Sequence, residues 1–426
     1  VTIPQTVTSG SNILVVGAGT LTAGDIDFTS TPGGAGHQIA ISTGTATISG
    51  DITGIGASST IQFTGAGLLR LGGSFYTATN GTLTMVAGST FEYNGLAAQT
   101  VQAHVYENLT LSGNNTKTLS QNATLKGNLT IGDGTTFSIG GVVLVVTGTT
   151  TIGGGTSGIL SITSTVGTKT FTGLVTINSG ATWSNTANET ITFQGGITNN
   201  GTFTAGTAVN NFGTNSQVLT GTFTIPSVSV NGAAVVLTNT NTLTVNTALA
   251  GTGRITQGAG ATLNIGGTST ITNMTATASG NTVNYTGAAQ TVKNVNYENL
   301  GLSGSGVKTL QVGTTTITGD LSLSGTVSAT GVIGLTIGGD VSIGSGTTFT
   351  SGAFTHNVGG DLTNNGTFAG TGSTINLNGG AQNITGGSTT FNDLQLSGSG
   401  TKTLGLSPTT TISGVFTINT GVAASL

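Results

Sequence analysis

Residues able to perform acid–base or metal chemistry are few in this chain of 426 residues. It holds 12 acidic residues, three histidines, eight lysines and arginines, and no cysteine. Cleaving a polysaccharide needs two carboxylates, or a carboxylate beside a base or a cation, on one face. Asp25 and Asp27 form the densest acidic group and alternate along one predicted strand, but no base or cation lies beside them in the sequence. The pattern therefore predicts no catalytic residues and favours a non-enzymatic protein.

A second acidic group recurs at regular spacing. Asp320, Asp340 and Asp361 each follow a glycine, at steps of 20 and 21 residues. If these segments stack as neighbouring strands, the carboxylates lie about 5 Å apart. Two interpretations stay open. The side chains either extend into water or accept backbone N–H groups at corners, or they bind Ca²⁺, which takes carboxylate and carbonyl oxygens. These three residues are the one candidate metal site, and no other cofactor is predicted.

Three lysines and three aromatic residues also recur at equivalent places. The lysines follow a Leu-Ser-Gly turn or its equivalent and precede Thr-Leu; they are Lys117, Lys308 and Lys402. They are expected to be solvated and to protect a strand edge; the alternative is a periodic contact with a neighbouring subunit or an anionic glycan. The aromatic residues are Tyr106, Tyr297 and Phe391. They are expected to fill the core rather than to form a platform for sugars.

These residues sit in repeats of about 20 residues. Positions 299, 320, 340 and 361 step by 21, 20 and 21, and each begins an apolar–polar–apolar alternation. A second run starts at Asn108, Asn128 and Thr149. Such alternation indicates strands. A unit this short cannot bury its apolar side alone, but a stack of units pairs every backbone group with its neighbours and closes a continuous core.

The predicted fold is therefore all-β: a parallel β-solenoid (β-helix) of about 20 coils with roughly 20–22 residues per coil. We expect one domain over residues 1–426, with longer repeats of roughly 95 residues within 89–420. The residues predicted to point inward are Leu129, Ile131, Ile152, Leu321, Leu323, Val341 and Ile343. The competing architecture is a series of immunoglobulin-like sandwiches, one per long repeat. Tandem sandwiches would not explain the 20-residue step. Only 5% of the chain is aromatic, whereas sandwich cores usually contain large aromatic side chains.

Composition excludes several classes of protein. Disordered chains combine low hydrophobicity with high charge, whereas here 35% of residues are hydrophobic and 5% are charged. The cations are scattered singly, so no basic patch for nucleic acid is expected. The longest apolar run, from Val142 to Val146, is far too short to span a bilayer.

Three segments carry a resemblance to a known class of protein. They are GNLTI from Gly127, GDLSL from Gly319 and LSGSGTKTL from Leu396. Together they resemble the β-strand repeats of large secreted bacterial and archaeal surface proteins, the parallel β-helical adhesins of the filamentous-haemagglutinin and autotransporter-passenger kind. The resemblance implies export, a cell-surface or extracellular location, and adhesive or structural work. The chain lacks the acidic GGxGxDxx calcium repeat of some such proteins.

The expected function is that of an extracellular structural protein that assembles into a filament, a surface layer or a fibre. Open sheet edges at the ends of a solenoid associate readily, and neither end of the sequence shows a polar capping coil. We therefore expect a homo-oligomer formed by end-to-end or strand-donating contacts, with residues 1–20 as a candidate assembly strand. The alternatives are an adhesin shaft that binds glycans or a host surface, and a carbohydrate-active β-helix enzyme.

Overall fold

The computed structural model of the protein describes residues 2–3, 12–28, 36–54, 56, 58–405 and 409–425. It is an all-β fold of parallel stacked coils, a β-solenoid of about 19 turns, and no helix occurs in the described residues. The predicted fold class is confirmed. The chain divides into two compact units, Val1–Val218 and Leu219–Leu426. The prediction of one domain over residues 1–426 stays a prediction.

The strands are short and most have three to five residues. The first are β1 Thr2–Ile3, β2 Asn12–Val16, β3 Thr20–Ala23, β4 Ile26–Phe28, β5 His37–Ile41, β6 Thr45–Ile48, β7 Ile52–Thr53, β8 Ser59–Phe63, β9 Leu68–Leu71, β10 Thr82–Thr84, β11 Thr90–Tyr93, β12 Gln99–Val101, β13 Val105–Tyr106 and β14 Asn108–Leu111. Next come β15 Asn115–Leu119, β16 Ala123–Leu125, β17 Leu129–Ile131, β18 Thr135–Ile139, β19 Leu144–Val146, β20 Thr150–Ile152, β21 Ile159–Ile162, β22 Lys169–Phe171, β23 Val175–Ile177, β24 Thr182–Ser184, β25 Ile191–Phe193, β26 Ile197–Asn199, β27 Thr202–Thr204 and β28 Val209–Gly213.

The strands that follow continue the same pattern. They are β29 Gln217–Thr224, β30 Ser227–Asn231, β31 Val236–Asn239, β32 Thr242–Val245, β33 Ala248–Ala250, β34 Arg254–Gln257, β35 Thr262–Ile265, β36 Thr268–Ser269, β37 Asn273–Thr275, β38 Thr282–Tyr285, β39 Gln290–Thr291, β40 Asn299–Leu302, β41 Ser305–Thr309 and β42 Thr316–Ile317. The last are β43 Leu321–Leu323, β44 Thr326–Thr330, β45 Thr336–Ile337, β46 Val341–Ile343, β47 Thr348–Thr350, β48 Thr355–Val358, β49 Leu362–Asn364, β50 Thr367–Leu377, β51 Gln382–Gly386, β52 Thr389–Leu396, β53 Thr401–Leu404, β54 Thr410–Ile412, β55 Phe416–Ile418 and β56 Ala423–Ser425.

Each coil in the middle of the first unit contributes one strand to each of three parallel sheets. The first sheet contains β14, β17, β20, β23 and β26; the second contains β15, β18, β21, β24 and β27; the third contains β16, β19, β22, β25 and β28. In the second unit, β40, β43, β46, β49, β51 and β53 form one continuous face. The parallel pairing of consecutive coils excludes sandwiches built from hairpins.

The inward positions are those predicted. Leu321 pairs in register with Val341, and Leu323 pairs with Ile343; all seven residues predicted to point inward are buried. The intervening Thr and Ser side chains point outward because neighbouring residues of a strand face opposite sides. Each fully buried Leu, Ile or Val side chain contributes about 1.5–3 kcal/mol, so the repeated inward column accounts for much of the stability.

Coil length varies more than the sequence predicted. Paired residues are 17 positions apart at Thr282 and Asn299, and 26 apart at Ile26 and Ile52. The 25-residue step from Thr150 to Val175 includes a glycine-rich turn before β21. In this turn the extra residues lie in a corner and leave strand pairing intact, whereas between Gly370 and Thr374 an irregularity falls inside β50 and shifts its register with β52.

The segment predicted to be an assembly strand is described in part. Its residues 1 and 4–11 lie outside the described residues. Within the rest, β1 pairs with β4 and β2 pairs with β5, so both strands are paired within their own chain.

Candidate functional site: the acidic ladder and the buried lysines

The three aspartates predicted as a metal site stack at one corner of the second unit. Each immediately precedes a strand, and these strands, β43, β46 and β49, pair in register. The Asp340 N–H donates to Asp320 Oδ1 at 2.8 Å, and the Asp361 N–H donates to Asp340 Oδ1 at 2.7 Å. Each carboxylate therefore caps the backbone of the following coil.

Asparagines extend this column, which we call the Asx ladder: Asn299, Asp320, Asp340, Asp361 and Asn383. The Asp320 N–H donates to Asn299 Oδ1 at 2.9 Å, and the Asn383 N–H donates to Asp361 Oδ1 at 2.8 Å. Within the described ranges, no three His, Asp or Glu side chains are grouped so that they could hold one metal ion. The ladder supports the corner-capping interpretation, and calcium binding stays a prediction.

The Asx ladder explains the glycine that precedes each aspartate. A Cβ on Gly339 would meet Asp320 Oδ1, and a Cβ on Gly360 would meet Asp340 Oδ1. Neither glycine has a positive φ, so close approach rather than backbone conformation requires them. The Gly-Asp and Gly-Asn pairs in the sequence thus have one structural explanation. The glycine of each pair leaves room for the Asp or Asn side chain of the preceding coil.

The lysines of the long repeat are not solvated. Lys117, Lys308 and Lys402 are fully buried, so the predicted edge-protecting role is wrong, and so is the alternative contact with a subunit or a glycan. The reason is the phase of the strand: each lysine lies two residues before a buried leucine and points to the same side.

Each lysine is held by oxygen atoms of the preceding coil. Lys117 Nζ donates to Gly95 O at 2.6 Å, Ala97 O at 3.2 Å and Gln99 Oε1 at 2.6 Å. Gln99 Nε2 in turn donates to Leu71 O at 2.9 Å and Gly73 O at 2.7 Å, one coil further back. The pair therefore joins three successive coils. We call this arrangement a Gln–Lys bracket.

Two more copies of the bracket occur in the second unit. Lys308 Nζ donates to Gly287 O at 2.7 Å, Ala288 O at 2.6 Å and Gln290 Oε1 at 2.7 Å. Lys402 Nζ donates to Gly379 O at 2.9 Å, to Gly380 O and to Gln382 Oε1 at 2.6 Å. The last two brackets lie in different sheets, since Gln290 is in β39 and Gln382 is in β51.

Among the described residues, no carboxylate forms an ion pair with the ammonium groups of these lysines; their acceptors are carbonyl and amide oxygens. Burial lowers the pKa of Lys117 and of Lys308 to about 8, and it also lowers the pKa of Lys402. The three acceptor oxygens at each ammonium oppose this effect, because hydrogen bonds to the charged form favour it. A fourth lysine, Lys169, is also buried, and its Nζ donates to Val166 O and Gly167 O, both at 2.7 Å.

A buried tyrosine pair accompanies the first two brackets. The hydroxyls of Tyr93 and Tyr106 lie 3.1 Å apart, as do those of Tyr285 and Tyr297. Burial raises the pKa of Tyr93 to about 12. In the third repeat Phe391 replaces the second tyrosine and is buried as well. The prediction that these repeated aromatic residues fill the core is confirmed.

Several other titratable residues make hydrogen bonds to neighbouring coils. Asp25 and Asp27 are both exposed, but Asp25 lies just before β4 and not within it; Asp25 Oδ1 accepts the Asp51 N–H and Asp27 Oδ1 accepts the Thr53 hydroxyl. His104 is buried against Tyr76 O, and burial lowers its pKa.

One surface groove of about 490 Å³ lies in the second unit, beside β36 and β39. Its lining is small and uncharged, and includes Thr247, Ser269, Ala289 and Gln290. Such a lining offers hydroxyl and amide groups but no acid or base.

No family model matches the chain, and no curated protein is significantly similar to it. In the part of the chain that the structure describes, no helix has the length and apolar character needed to cross a membrane.

Proposed function

We propose that the chain is a non-enzymatic extracellular structural protein, a subunit of a self-assembling filament, surface layer or fibre. The observation that carries this proposal is the location of the positively charged side chains. Four of the eight lysines and arginines, namely Lys117, Lys169, Lys308 and Lys402, are buried, and their ammonium groups bond to oxygen atoms of the chain itself. Three of them belong to one bracket that recurs along the chain. A chain that places half of its cations in its own scaffold keeps few for binding or chemistry.

The outer surface supports close association between copies. One outward column of the first unit is Thr110, Thr130, Thr151, Thr176 and Thr198, paired in register over five coils. The net charge of the chain is -4. Low net charge and uncharged polar faces give little electrostatic repulsion between molecules. The extracellular location is proposed from the resemblance of the repeats to those of secreted surface proteins.

The coil that contains β55 offers a surface for contact between copies. Phe416 and Ile418 are 42% and 45% exposed, although their in-register neighbours Leu394 and Leu396 are buried. In the proposed filament, a coil of a second copy covers these side chains.

Fewer observations support the alternatives. Sugar-binding surfaces commonly stack aromatic rings on the ligand, but among the described aromatic side chains only Phe354 and Phe416 are more than about one-third exposed. An adhesin shaft would therefore recognise its ligand mainly through hydroxyl and amide groups. An enzyme would need acids and bases grouped at an accessible site, and within the described residues no three His, Asp or Glu side chains are grouped together.

The proposal is tested by following assembly of the full chain with light scattering and negative-stain microscopy. We expect fibres or sheets to form as concentration rises. Phe416→Asp should prevent end-to-end assembly, because it places a charge in the proposed contact. Thr417→Asp adds the same charge to the neighbouring residue of β55, on the opposite side of the strand, and is the matched control. A chain that stays monomeric at high concentration would overturn the proposal.

A further inference from the structure

Each Gln–Lys bracket keeps an ammonium group in the interior of the solenoid, where its desolvation is unfavourable. Each buries an ammonium group without a carboxylate partner, and each is built from the same residue types. We propose that the brackets fix the register of the solenoid, so that each marked strand stacks on one partner strand and in one alignment. This inference concerns folding and holds whether or not the protein forms filaments.

A solenoid of similar coils needs such a device. Most coils present aliphatic residues inward and Thr or Ser outward, so many alignments bury similar apolar surface. Sliding a strand by two residues keeps every side chain on its own face. Around the third bracket, Gln382 pairs with Lys402 and Ile384 pairs with Leu404. A slip of two residues places Lys402 opposite Ile384 and Leu404 opposite Gly386, so the ammonium leaves the glutamine and the aliphatic pair is separated.

The slipped alignment is penalised by the ammonium group. In the native register Lys402 Nζ has three oxygen acceptors, including Gln382 Oε1 at 2.6 Å. Opposite Ile384 the ammonium loses the glutamine, and an unsatisfied buried charge is strongly destabilising. Aliphatic side chains provide no comparable penalty, because leucine and isoleucine replace one another at modest cost. The bracket therefore adds a penalty for the slipped alignment that is larger than the loss of the aliphatic contact alone.

The placement of the brackets agrees with this role. In the second unit they mark two different sheets, through β39 with β41 and through β51 with β53. Gln217 makes similar backbone contacts without a lysine partner. Its Oε1 accepts the Gly196 N–H, and its Nε2 donates to Phe193 O. The sequence contains no lysine between Lys169 and Lys293. Buried polar groups in other folds fix register at a cost in stability.

The chain contains no cysteine, so engineered disulfides can report the register. Asn383 and Thr403 are directly paired and exposed, and Cα atoms of adjacent strands lie within reach of a disulfide. The pair Asn383→Cys and Thr403→Cys reports the native alignment. The pair Asn383→Cys and Thr401→Cys reports a slip of two residues, since their Cα atoms are too far apart in the native register.

Each cysteine pair is placed in its own variant of the full chain. Each variant is unfolded, refolded and oxidised, and its disulfide is quantified by mass spectrometry. With Lys402 present, we expect the slipped pair to remain almost fully reduced. With Lys402→Met, the slipped disulfide should increase at least about tenfold, because each 1.4 kcal/mol of lost discrimination is a factor of ten. Lys126→Met removes an exposed lysine and should change nothing.

The double variant Gln382→Met with Lys402→Met makes the test independent of a folding failure. It removes both polar groups and leaves an apolar contact, so it should fold with a mixture of registers. Exclusive formation of the native disulfide in Lys402→Met, or in the double variant if the single one does not fold, would overturn the proposal.

Discussion

Raising the pH above neutrality is expected to stabilise this protein before it destabilises it. The folded pKa of Lys117 and of Lys308 is about 8, whereas the ordinary value is 10.5. Between these two values the unfolded chain binds protons that the folded chain does not. Stability therefore rises with pH in this range. Below about pH 8 the penalty of burying each ammonium is fully present, and above about pH 10.5 it has disappeared.

The size of the effect follows from the same values. A displacement of the pKa from 10.5 to about 8 corresponds to about 3 kcal/mol for each lysine, since each unit is worth about 1.4 kcal/mol. This is an upper bound, because the acceptor oxygens around each ammonium favour the charged form. Lys402 adds a contribution of the same sign.

Buried tyrosines reverse the trend at higher pH. Burial raises the pKa of Tyr93 to about 12 and raises that of Tyr106, Tyr285 and Tyr297 as well. Above about pH 10 the unfolded tyrosines release protons that the folded ones retain, so stability falls. The two effects together predict a maximum near pH 10.

The assay is denaturant unfolding at pH 7 to 11.5, followed by circular dichroism and by the fluorescence of Trp183, the single tryptophan, which is buried in the first unit. Lys117→Met should be at least as stable as the parent at pH 7 and should lose its share of the rise between pH 8 and 10. Lys126→Met, which removes an exposed lysine, should keep the full rise. A midpoint that stays flat or falls between pH 8 and 10 in the parent would refute this account of the buried lysines.

Three further predictions concern the bracket, the glycines and calcium. Gln99→Leu should destabilise the first unit by about 1.5–3 kcal/mol in denaturant unfolding, because Lys117 loses one of its three acceptors and hydrogen bonds to charged groups are worth that much. Adding Lys117→Met should recover most of this loss, and independent, additive effects would count against the bracket. Gly319→Ala should lower the melting temperature, because the added Cβ would meet Asn299 Oδ1. Adding Asn299→Ala should relieve part of this effect. Gly140→Ala is the control and should be neutral, because a Cβ at that position meets no atom within 4 Å. If the Asx ladder binds calcium, removing it with a chelator should lower the melting temperature and Asp340→Asn should abolish the response; an unchanged melting temperature would end the calcium hypothesis.

The period of the sequence was enough to predict the fold. Leu321 and Val341 stack because a 20-residue step combined with period-2 alternation allows few other arrangements, and their pairing is confirmed. The stacking of Asp320, Asp340 and Asp361 follows from the same step. The contacts of their carboxylates could not be predicted, because these depend on a backbone N–H of the following coil.

The buried lysines show where residue type misleads. Lys117 follows a turn and lies among polar residues, features typical of a surface position. Its phase indicates the opposite, since Leu119 lies two residues later and faces the core. A second signal was present in all three long repeats: a glutamine 18 to 20 residues before the lysine, at Gln99, Gln290 and Gln382. The backbone oxygens that complete each bracket have no sequence signature, because every residue carries one.

The brackets and the Asx ladder address two different problems of a repetitive fold. The ladder satisfies a backbone N–H of each successive coil at one exposed corner, and it requires only an Asp or Asn in each coil, with a glycine before most of them. It can therefore recur in consecutive coils. The bracket requires two particular side chains in consecutive coils and a buried ammonium group, so its cost limits it to occasional use. A periodic contact with a small energetic cost stabilises every coil to the same extent, so it cannot distinguish one alignment of the strands from another. Only a contact that is rare and costly when broken can do so, which is why we assign the register of the stack to the brackets.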